Sequence, residues 1–169
     1  MTKQFSIQPV RPEDVPAVVY MVHELAAYER AAEECHLTDT DLHAALFAPN
    51  PALFGHVARD ERGEPVGAML WFLNFSTWEG RHGIYLEDLY VRPEARGHGL
   101  GAALLSALAE LCVQRGYPRL EWWVLDWNPA REFYHRVGAV AMSEWVPYRL
   151  SGPALAAVAA GLPEAPETA

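Results

Sequence analysis

The sequence predicts one α/β domain: a mixed central sheet with an antiparallel N-terminal part and a parallel βαβ core, and helices on both faces. Three strand-like runs follow one another at 53–58, 65–75 and 84–91, with the hairpin signal Asp60-Glu61-Arg62-Gly63 between the first two. A helical pattern at 99–115 then separates the third run from another at 120–125. A strand–helix–strand crossover makes its two strands parallel. Hydrophobic residues make up 51% of the 169 residues, which suits a single core.

The remaining elements follow from local signals. Phe5 and Ile7 alternate with polar residues, and Pro12 with two acids favours a helix start. Thr38 is a candidate N-cap, and Asn128-Pro129 opens a late helix. These signals predict, besides the runs above, a strand at 5–10, helices at 11–28, 39–48 and 128–136, a final strand at 140–150 and an Ala-rich helix at 151–161. One domain over 1–169 is expected, with a core at about 5–150 and a frayed tail of eight residues.

Composition excludes several classes of protein. No apolar run reaches the ~18 residues of a membrane span, and the N-terminus shows no signal-peptide pattern. Two isolated cysteines, Cys35 and Cys112, fit a reducing compartment, so a cytoplasmic protein is expected. The seven histidines show no metal-ligand spacing, so no metal is expected.

The net charge of −9 argues against nucleic acid as a partner, because nucleic-acid binding needs a basic face. Acidic excess is consistent with a cationic ligand or with solubility alone, and charge does not decide between them.

The glycine-rich segment Arg96-Gly97-His98-Gly99-Leu100-Gly101 is the most informative stretch. It lies between a strand and a helix N-terminus, whose amides lack internal partners and carry partial positive charge. Glycine allows a tight turn and close approach of a ligand to the backbone. The segment is therefore suited to a phosphate or pyrophosphate.

Two other interpretations of this segment compete with this one. The glycines could form only a turn and a helix start. Alternatively, Gly97, Gly99 and Ala102 satisfy the dinucleotide fingerprint, with Glu121 about twenty residues later. The context disfavours the fingerprint, because residues 92–96 separate the strand from the first glycine and Glu121 begins a strand.

Two motifs together resemble the GNAT superfamily of N-acetyltransferases. The run from Leu89 to Leu105 is similar to the family's strand, R/Q-x-x-G-x-G/A loop and helix, with Arg96, Gly99 and Gly101 at the motif positions. Residues 128–139 resemble its N-x-x-A-x-x-F-Y-x-x-x-G-F/A segment. The resemblance covers about residues 5–150 and implies a GNAT-like fold.

Three shorter segments narrow the resemblance to the diamine acetyltransferases, which act on spermidine, spermine or thialysine. They are residues 24–29, 85–91 and 126–128. One residue fewer separates Asn128 from Tyr134 than in that subfamily, and its later acidic substrate position near 144–146 does not align.

The resemblance implies acetyl-CoA as co-substrate and a homodimer. The thioester arm would be held by the backbone near Leu89, Tyr90 and Val91. The cofactor-binding residues it implies are Leu89, Tyr90, Val91, Arg96, Gly97, His98, Gly99, Leu100, Gly101, Ala102, Asn128, Arg131 and Tyr134.

Two residues are the candidate catalysts. Tyr134 occupies the position of the family's thiolate-protonating tyrosine, and a phenol with a pKa of ~10 stays protonated at neutral pH. Glu87, among apolar neighbours, is the candidate base through a water, because burial would raise its pKa. Asp88, expected on the opposite strand face, is the competitor, and an ion pair with a nearby arginine is the structural alternative for Glu87.

A set of acids and aromatics could surround a small cationic amine, since carboxylates pair with ammonium groups and aromatic faces attract cations. These candidate substrate-binding residues are Tyr28, Glu29, Glu87, Glu121, Trp122, Trp123 and Asp126. Alternation along a strand would place either Trp122 or Trp123 in the core.

The sequence therefore predicts an acetyl-CoA-dependent N-acetyltransferase acting on a di- or polyamine or thialysine-like amine by direct attack in a ternary complex. The alternatives are acetylation of an amino acid, aminoglycoside or protein amine, and a silent acyl-CoA-binding module. No membrane partner is expected.

Overall fold

The computed structural model describes residues 4–161, which fall into two compact units that divide between Leu125 and Asp126. The first unit contains β1 (Ser6–Pro9), α1 (Val15–Tyr28), α2 (Asp39–Phe47), β2 (Phe54–Arg59), β3 (Pro65–Ser76), β4 (Arg81–Val91), α3 (Leu100–Arg115) and β5 (Leu120–Glu121). The second contains α4 (Ala130–Arg136) and α5 (Gly152–Ala159).

The five strands form one sheet in the order β1-β2-β3-β4-β5. The pairs β1–β2, β2–β3 and β3–β4 are antiparallel, whereas β4 and β5, joined through α3, are parallel. The predicted mixed sheet and its parallel crossover are confirmed.

Helices of the first unit cover both faces of this sheet. On one face, α1 and α2 share a buried cluster with Val57, Ala68, Leu70 and Tyr90. On the other, a Cβ at Gly67 would lie 3.4 Å from Leu100 and Leu104 of α3. Neighbouring residues of a strand point to opposite faces, so Gly67 points to the face covered by α3 and Ala68 points to the face covered by α1 and α2.

A β-bulge interrupts β4 at Glu87. In the β3–β4 ladder Leu70 pairs with Asp88 and Trp71 pairs with Leu86, so Glu87 is the extra residue. A bulge bends the strand and breaks the alternation of side chains on either side of it.

An ion pair fixes the start of α1 to the sheet. Asp14 is 2% exposed, and its carboxylate contacts the guanidinium of Arg59 at the end of β2. The same carboxylate accepts a bond from the Arg11 amide at 2.9 Å, so it also caps the first turn.

Two predicted strands differ in the structure. The run 120–125 forms a strand only at Leu120–Glu121, and residues 140–150 form none. A strand needs a neighbouring strand, and within its own described unit the segment 140–150 has only helices; it instead makes a turn between Met142 and Trp145. The predicted helix at 151–161 forms at Gly152–Ala159, and the tail at 162–169 lies outside the described residues. Within residues 4–161, no helix has the length and apolarity needed to cross a bilayer.

Candidate active site

The C-terminal half of β4 presents backbone groups on its edge away from β3. The Arg92 amide bonds the Val66 carbonyl of β3 at 2.9 Å. Backbone direction alternates along a strand, so the amides of Leu89 and Val91 point to the other edge. On that edge β5 pairs only with Ile84 and Tyr85.

The glycine loop follows directly after this edge. Gly97 and Gly99 have φ values of 77° and 78°, a left-handed conformation that favours glycine, and Gly99 is the N-cap of α3. A Cβ at Gly97, Gly99 or Gly101 would meet no described atom within 4 Å. The first amides of α3 lack intrahelical acceptors, so the loop offers donors beside open space and fits a pyrophosphate.

The Arg96 side chain connects this loop to the end of α1. Its guanidinium carbon lies 5.4 Å from the ring centroid of Tyr90 and 5.6 Å from that of Tyr28. Its Nε donates to the Val91 carbonyl at 2.8 Å. Tyr90 is buried, which raises the pKa of its phenol, and the contact with the cofactor predicted for it stays a prediction.

The remaining residues predicted to bind the cofactor in this unit differ in exposure. His98 is exposed and its Nδ1 lies 2.7 Å from the Arg96 carbonyl, and Ala102 is exposed. Leu100 is 2% exposed, so its side chain belongs to the core and only its amide could bind.

Three carboxylates lie within electrostatic reach of one another beside the bulge. Partial burial first, and then the negative charges of Glu87 and Glu29, together raise the pKa of Asp88 to about 6. Burial also raises the pKa of Glu29, at the C-cap of α1. We call Glu29, Glu87 and Asp88 the acidic group. Its negative charges attract a cation.

The burial expected at Glu87 is found at Asp88 instead. Glu87 is exposed at the bulge, and the Asp88 carboxylate senses Glu87 and Glu29 together. The predicted separation of Glu87 and Asp88 onto opposite faces rested on regular alternation, which the bulge removes. Asp88 is thus the stronger candidate base, because its raised pKa of about 6 lies near neutrality.

The other predicted substrate-binding residues of this unit are dispersed. Tyr28 contacts Arg96, as above. Glu121 forms an ion pair with Arg119 at 3.0 Å and accepts a bond from Asn74 Nδ2 at 2.6 Å, so its carboxylate is engaged in the sheet. Neither Trp122 nor Trp123 is buried, contrary to the expectation that one belongs to the core, because the paired strand ends before them.

The second unit holds the remaining candidates. Asn128 Oδ1 accepts from the amide of Ala130, the first residue of α4, at 2.9 Å. Arg131 donates to the Asp126 carbonyl at 2.7 Å, and the Tyr134 ring lies 5.4 Å from that of Phe133. These contacts fix the loop that precedes α4, and the roles predicted for Asn128, Arg131, Asp126 and Tyr134 stay predictions.

Phe72 and Tyr85 form an aromatic pair that the sequence does not predict. Phe72 and Tyr85 stack across β3 and β4 with centroids 4.9 Å apart, and Trp123 meets Tyr85 edge-on at 6.0 Å. The only signal in the sequence was aromatic residues in successive strands, and pairing them requires the ladder register.

The chain was also compared with known proteins. A model of the acetyltransferase (GNAT) family matches residues 19–139. The chain is 34% identical over 160 residues to the thialysine N-epsilon-acetyltransferase of Bos taurus, covering 88% of this chain and 94% of the relative. It is 36% identical over 157 residues to the Caenorhabditis elegans protein of the same name, covering 90% and 96%.

The fold is also similar to that of a solved structure. An integron cassette protein from the mobile metagenome of V. cholerae has a TM-score of 0.76 and 26% identity, covering 94% of this chain and 98% of its own. With the strand bulge and glycine loop above, these matches show that the chain belongs to the GNAT family and is an N-acetyltransferase, an enzyme that transfers an acetyl group to an amine.

Proposed function

We propose that this N-acetyltransferase moves an acetyl group from acetyl-CoA to a primary amine of a small cationic substrate, either a di- or polyamine or a thialysine-like compound. The amine attacks the thioester directly in a ternary complex. The observation that carries the proposal is Asp88, a half-buried carboxylate whose pKa is raised to about 6, beside two further carboxylates and the bulge of β4. Thialysine acetylation by the Bos taurus and C. elegans relatives supports the substrate class.

The first task is to hold acetyl-CoA. The outward amides of Leu89 and Val91 would bind the thioester arm along the edge of β4. The amides of residues 97–102 and the helix N-terminus would bind the pyrophosphate. Arg96 would add a cation beside it. Asn128 would touch the pantetheine arm or the adenine end, and Arg131 is a further cofactor-binding residue that the resemblance implies.

The second task is to attract the amine. Three neighbouring carboxylates attract an ammonium ion, and the net charge of −9 favours its approach. A cation bound there would in turn stabilise the ionised form of Asp88, so substrate binding would keep Asp88 in the form that can accept a proton.

The third task is proton transfer. An alkyl ammonium with a pKa of ~10.4 has no lone pair and must lose a proton before it attacks. Asp88 accepts this proton directly or through a water, with the more exposed Glu87 as the second candidate. The amine nitrogen then bonds to the acetyl carbon, the C–S bond breaks, and the Tyr134 phenol gives its proton to the departing thiolate. The nitrogen loses its second proton to solvent, and the Tyr134 phenolate takes up one proton from solvent, which restores the phenol. The products are the acetylated amine and free CoA.

A homodimer, which the resemblance implies, and a cytoplasmic location, which the two isolated cysteines indicate, belong to the same proposal. The mass of the purified enzyme in solution tests the dimer: the dimer mass supports it, and the monomer mass of 18.8 kDa contradicts it.

The pH dependence of kcat/KM for the amine tests the assignment of the base. Wild type is expected to gain activity as pH rises through about 6, where Asp88 ionises. The Asp88→Asn variant should lose this limb and about a hundredfold or more in rate, while Glu87→Gln keeps it. Loss of the limb in Glu87→Gln alone would assign the base to Glu87. Full turnover in Asp88→Asn, Glu87→Gln and Tyr134→Phe would overturn the mechanism.

A further inference from the structure

The geometry points to Phe72, Tyr85 and Trp123 as the residues that recognise a second, non-reacting ammonium of the acceptor. This inference rests on the proposed function and deepens it, since it assigns the part of the protein that distinguishes a diamine from a monoamine. We call these three residues the aromatic group.

The aromatic group lies on the same face of the sheet as Asp88. Leu70 pairs with Asp88, and Phe72 pairs with Tyr85 two positions further along β3. Leu70 and Phe72 are two residues apart on β3 and therefore point to the same face. That face is the one toward α1, since Leu70 belongs to the cluster shared by α1 and α2.

Its distance from the acidic group suits a diamine. Two residues along β3 correspond to about 7 Å at roughly 3.3 Å per residue. An extended short-chain diamine spans such a separation. With one nitrogen beside Asp88, its other nitrogen reaches the rings.

The rings are arranged to present π faces and edges to a ligand. Phe72 and Tyr85 stack at an interplanar angle of 29°, and Trp123 stands nearly perpendicular to Tyr85 at 88°. Phe72 and Tyr85 are half-buried, and Trp123 is 62% exposed. The nearly perpendicular rings of Tyr85 and Trp123 form a corner, and the ring quadrupoles of such a corner attract a cation, most strongly at Trp and Tyr.

The remaining carboxylate near this corner is already paired. Glu121, opposite Tyr85 in the β4–β5 ladder, is held by Arg119 and Asn74. A carboxylate engaged in this way leaves the aromatic faces as the cation-attracting groups of the corner. This assigns recognition of the distal ammonium to rings rather than to Glu121.

The test compares putrescine with butylamine, which has the same carbon chain without the second ammonium. Trp123→Leu and Tyr85→Leu are expected to raise KM for putrescine about three- to tenfold, with kcat and the KM for butylamine little changed. Tyr85→Phe keeps a π face and should retain most of the affinity. Phe75→Leu is the matched control, because Phe75 is 52% exposed on β3, points to the other face and packs against His82.

Equal KM changes for the two amines, or no change in either leucine variant, would overturn this inference and leave the proposed function intact. If wild type acetylates neither putrescine nor spermidine or thialysine, the proposed substrate class fails and the inference fails with it. Thermal melting of each variant shows that it is folded, and Trp123→Leu, at an exposed position, remains informative if Tyr85→Leu is destabilised.

Discussion

The guanidinium of Arg96 lies over the ring of Tyr28, with 5.6 Å between the guanidinium carbon and the ring centroid. Arg96 belongs to the glycine loop, whereas Tyr28 ends α1 next to Glu29 of the acidic group. The contact therefore links the segment proposed to hold pyrophosphate with the segment proposed to hold the amine.

Loss of this contact is expected to affect both substrates. Tyr28→Leu removes the π face below Arg96 and should raise KM for acetyl-CoA about threefold, with a similar rise for the amine. Tyr28→Phe keeps the ring that contacts Arg96 and should raise KM for acetyl-CoA less than Tyr28→Leu does. Initial rates at varied concentrations of each substrate check this. A rise confined to the amine, or equal effects of Leu and Phe, would show that Tyr28 does not position Arg96.

Two glycine substitutions separate loop conformation from ligand binding. Gly101 lies in α3 with open space around it, so Gly101→Ala should leave stability unchanged or raise it by up to about 1 kcal/mol. The new methyl would still stand beside the pyrophosphate, and KM for acetyl-CoA should rise severalfold.

Gly99→Ala is the comparison, because its φ of 78° strains any side chain and should cost about 1–2 kcal/mol. Denaturation curves and KM for acetyl-CoA measure both effects. An unchanged KM in Gly101→Ala would argue against the loop as the pyrophosphate site.

Asp88 is expected to lower stability at neutral pH. Its pKa rises from an ordinary 3.8 to about 6 on folding, so the folded protein binds the proton more tightly than the unfolded chain. Stability is therefore lost as pH rises from about 4 through about 6, and the loss is complete above that range. Asp88→Asn should raise Tm more at pH 8 than at pH 4, although it lowers activity. Equal Tm shifts at the two pH values would contradict the burial of this carboxylate.

The Asp14–Arg59 pair is expected to be a major structural contact. Asp14→Ala leaves the Arg59 guanidinium, with 19% of its side chain exposed, without its partner and should cost about 3–5 kcal/mol. Glu13→Ala is the control, because its pair with Arg11 is solvent-exposed at 3.9 Å and contributes little. Urea denaturation of both variants checks the difference, and similar midpoints would show that the buried pair contributes little.

Local signals were sufficient for most of the first unit. Thr38 caps α2 as predicted, with its hydroxyl accepting from the Asp41 amide at 3.2 Å, and the turn at Asp60–Gly63 closes the β2–β3 hairpin. The crossover from β4 through α3 made β5 parallel. Each of these features depends on residues close together in the chain.

Features that depend on a partner strand were not readable. The bulge at Glu87 is a property of the β3–β4 register, which the sequence does not predict. The effect of the Glu87 charge on the pKa of Asp88 is therefore not predictable from the sequence either. The segment 140–150 has a strand-like pattern, but residues 126–161, the described part of its own unit, contain no strand to pair with it. The stacking of Phe72 on Tyr85 likewise required the register.

The most direct test of the account is the rate of free-thiol release from acetyl-CoA with a panel of amines. The panel contains putrescine, spermidine, thialysine, lysine, an aminoglycoside and a peptide, with mass spectrometry of each product. The account predicts the highest kcat/KM for small amines that carry a second cationic group, each gaining one acetyl group on nitrogen. Preference for the peptide or the aminoglycoside, or no thiol release with any of the small amines, would contradict it.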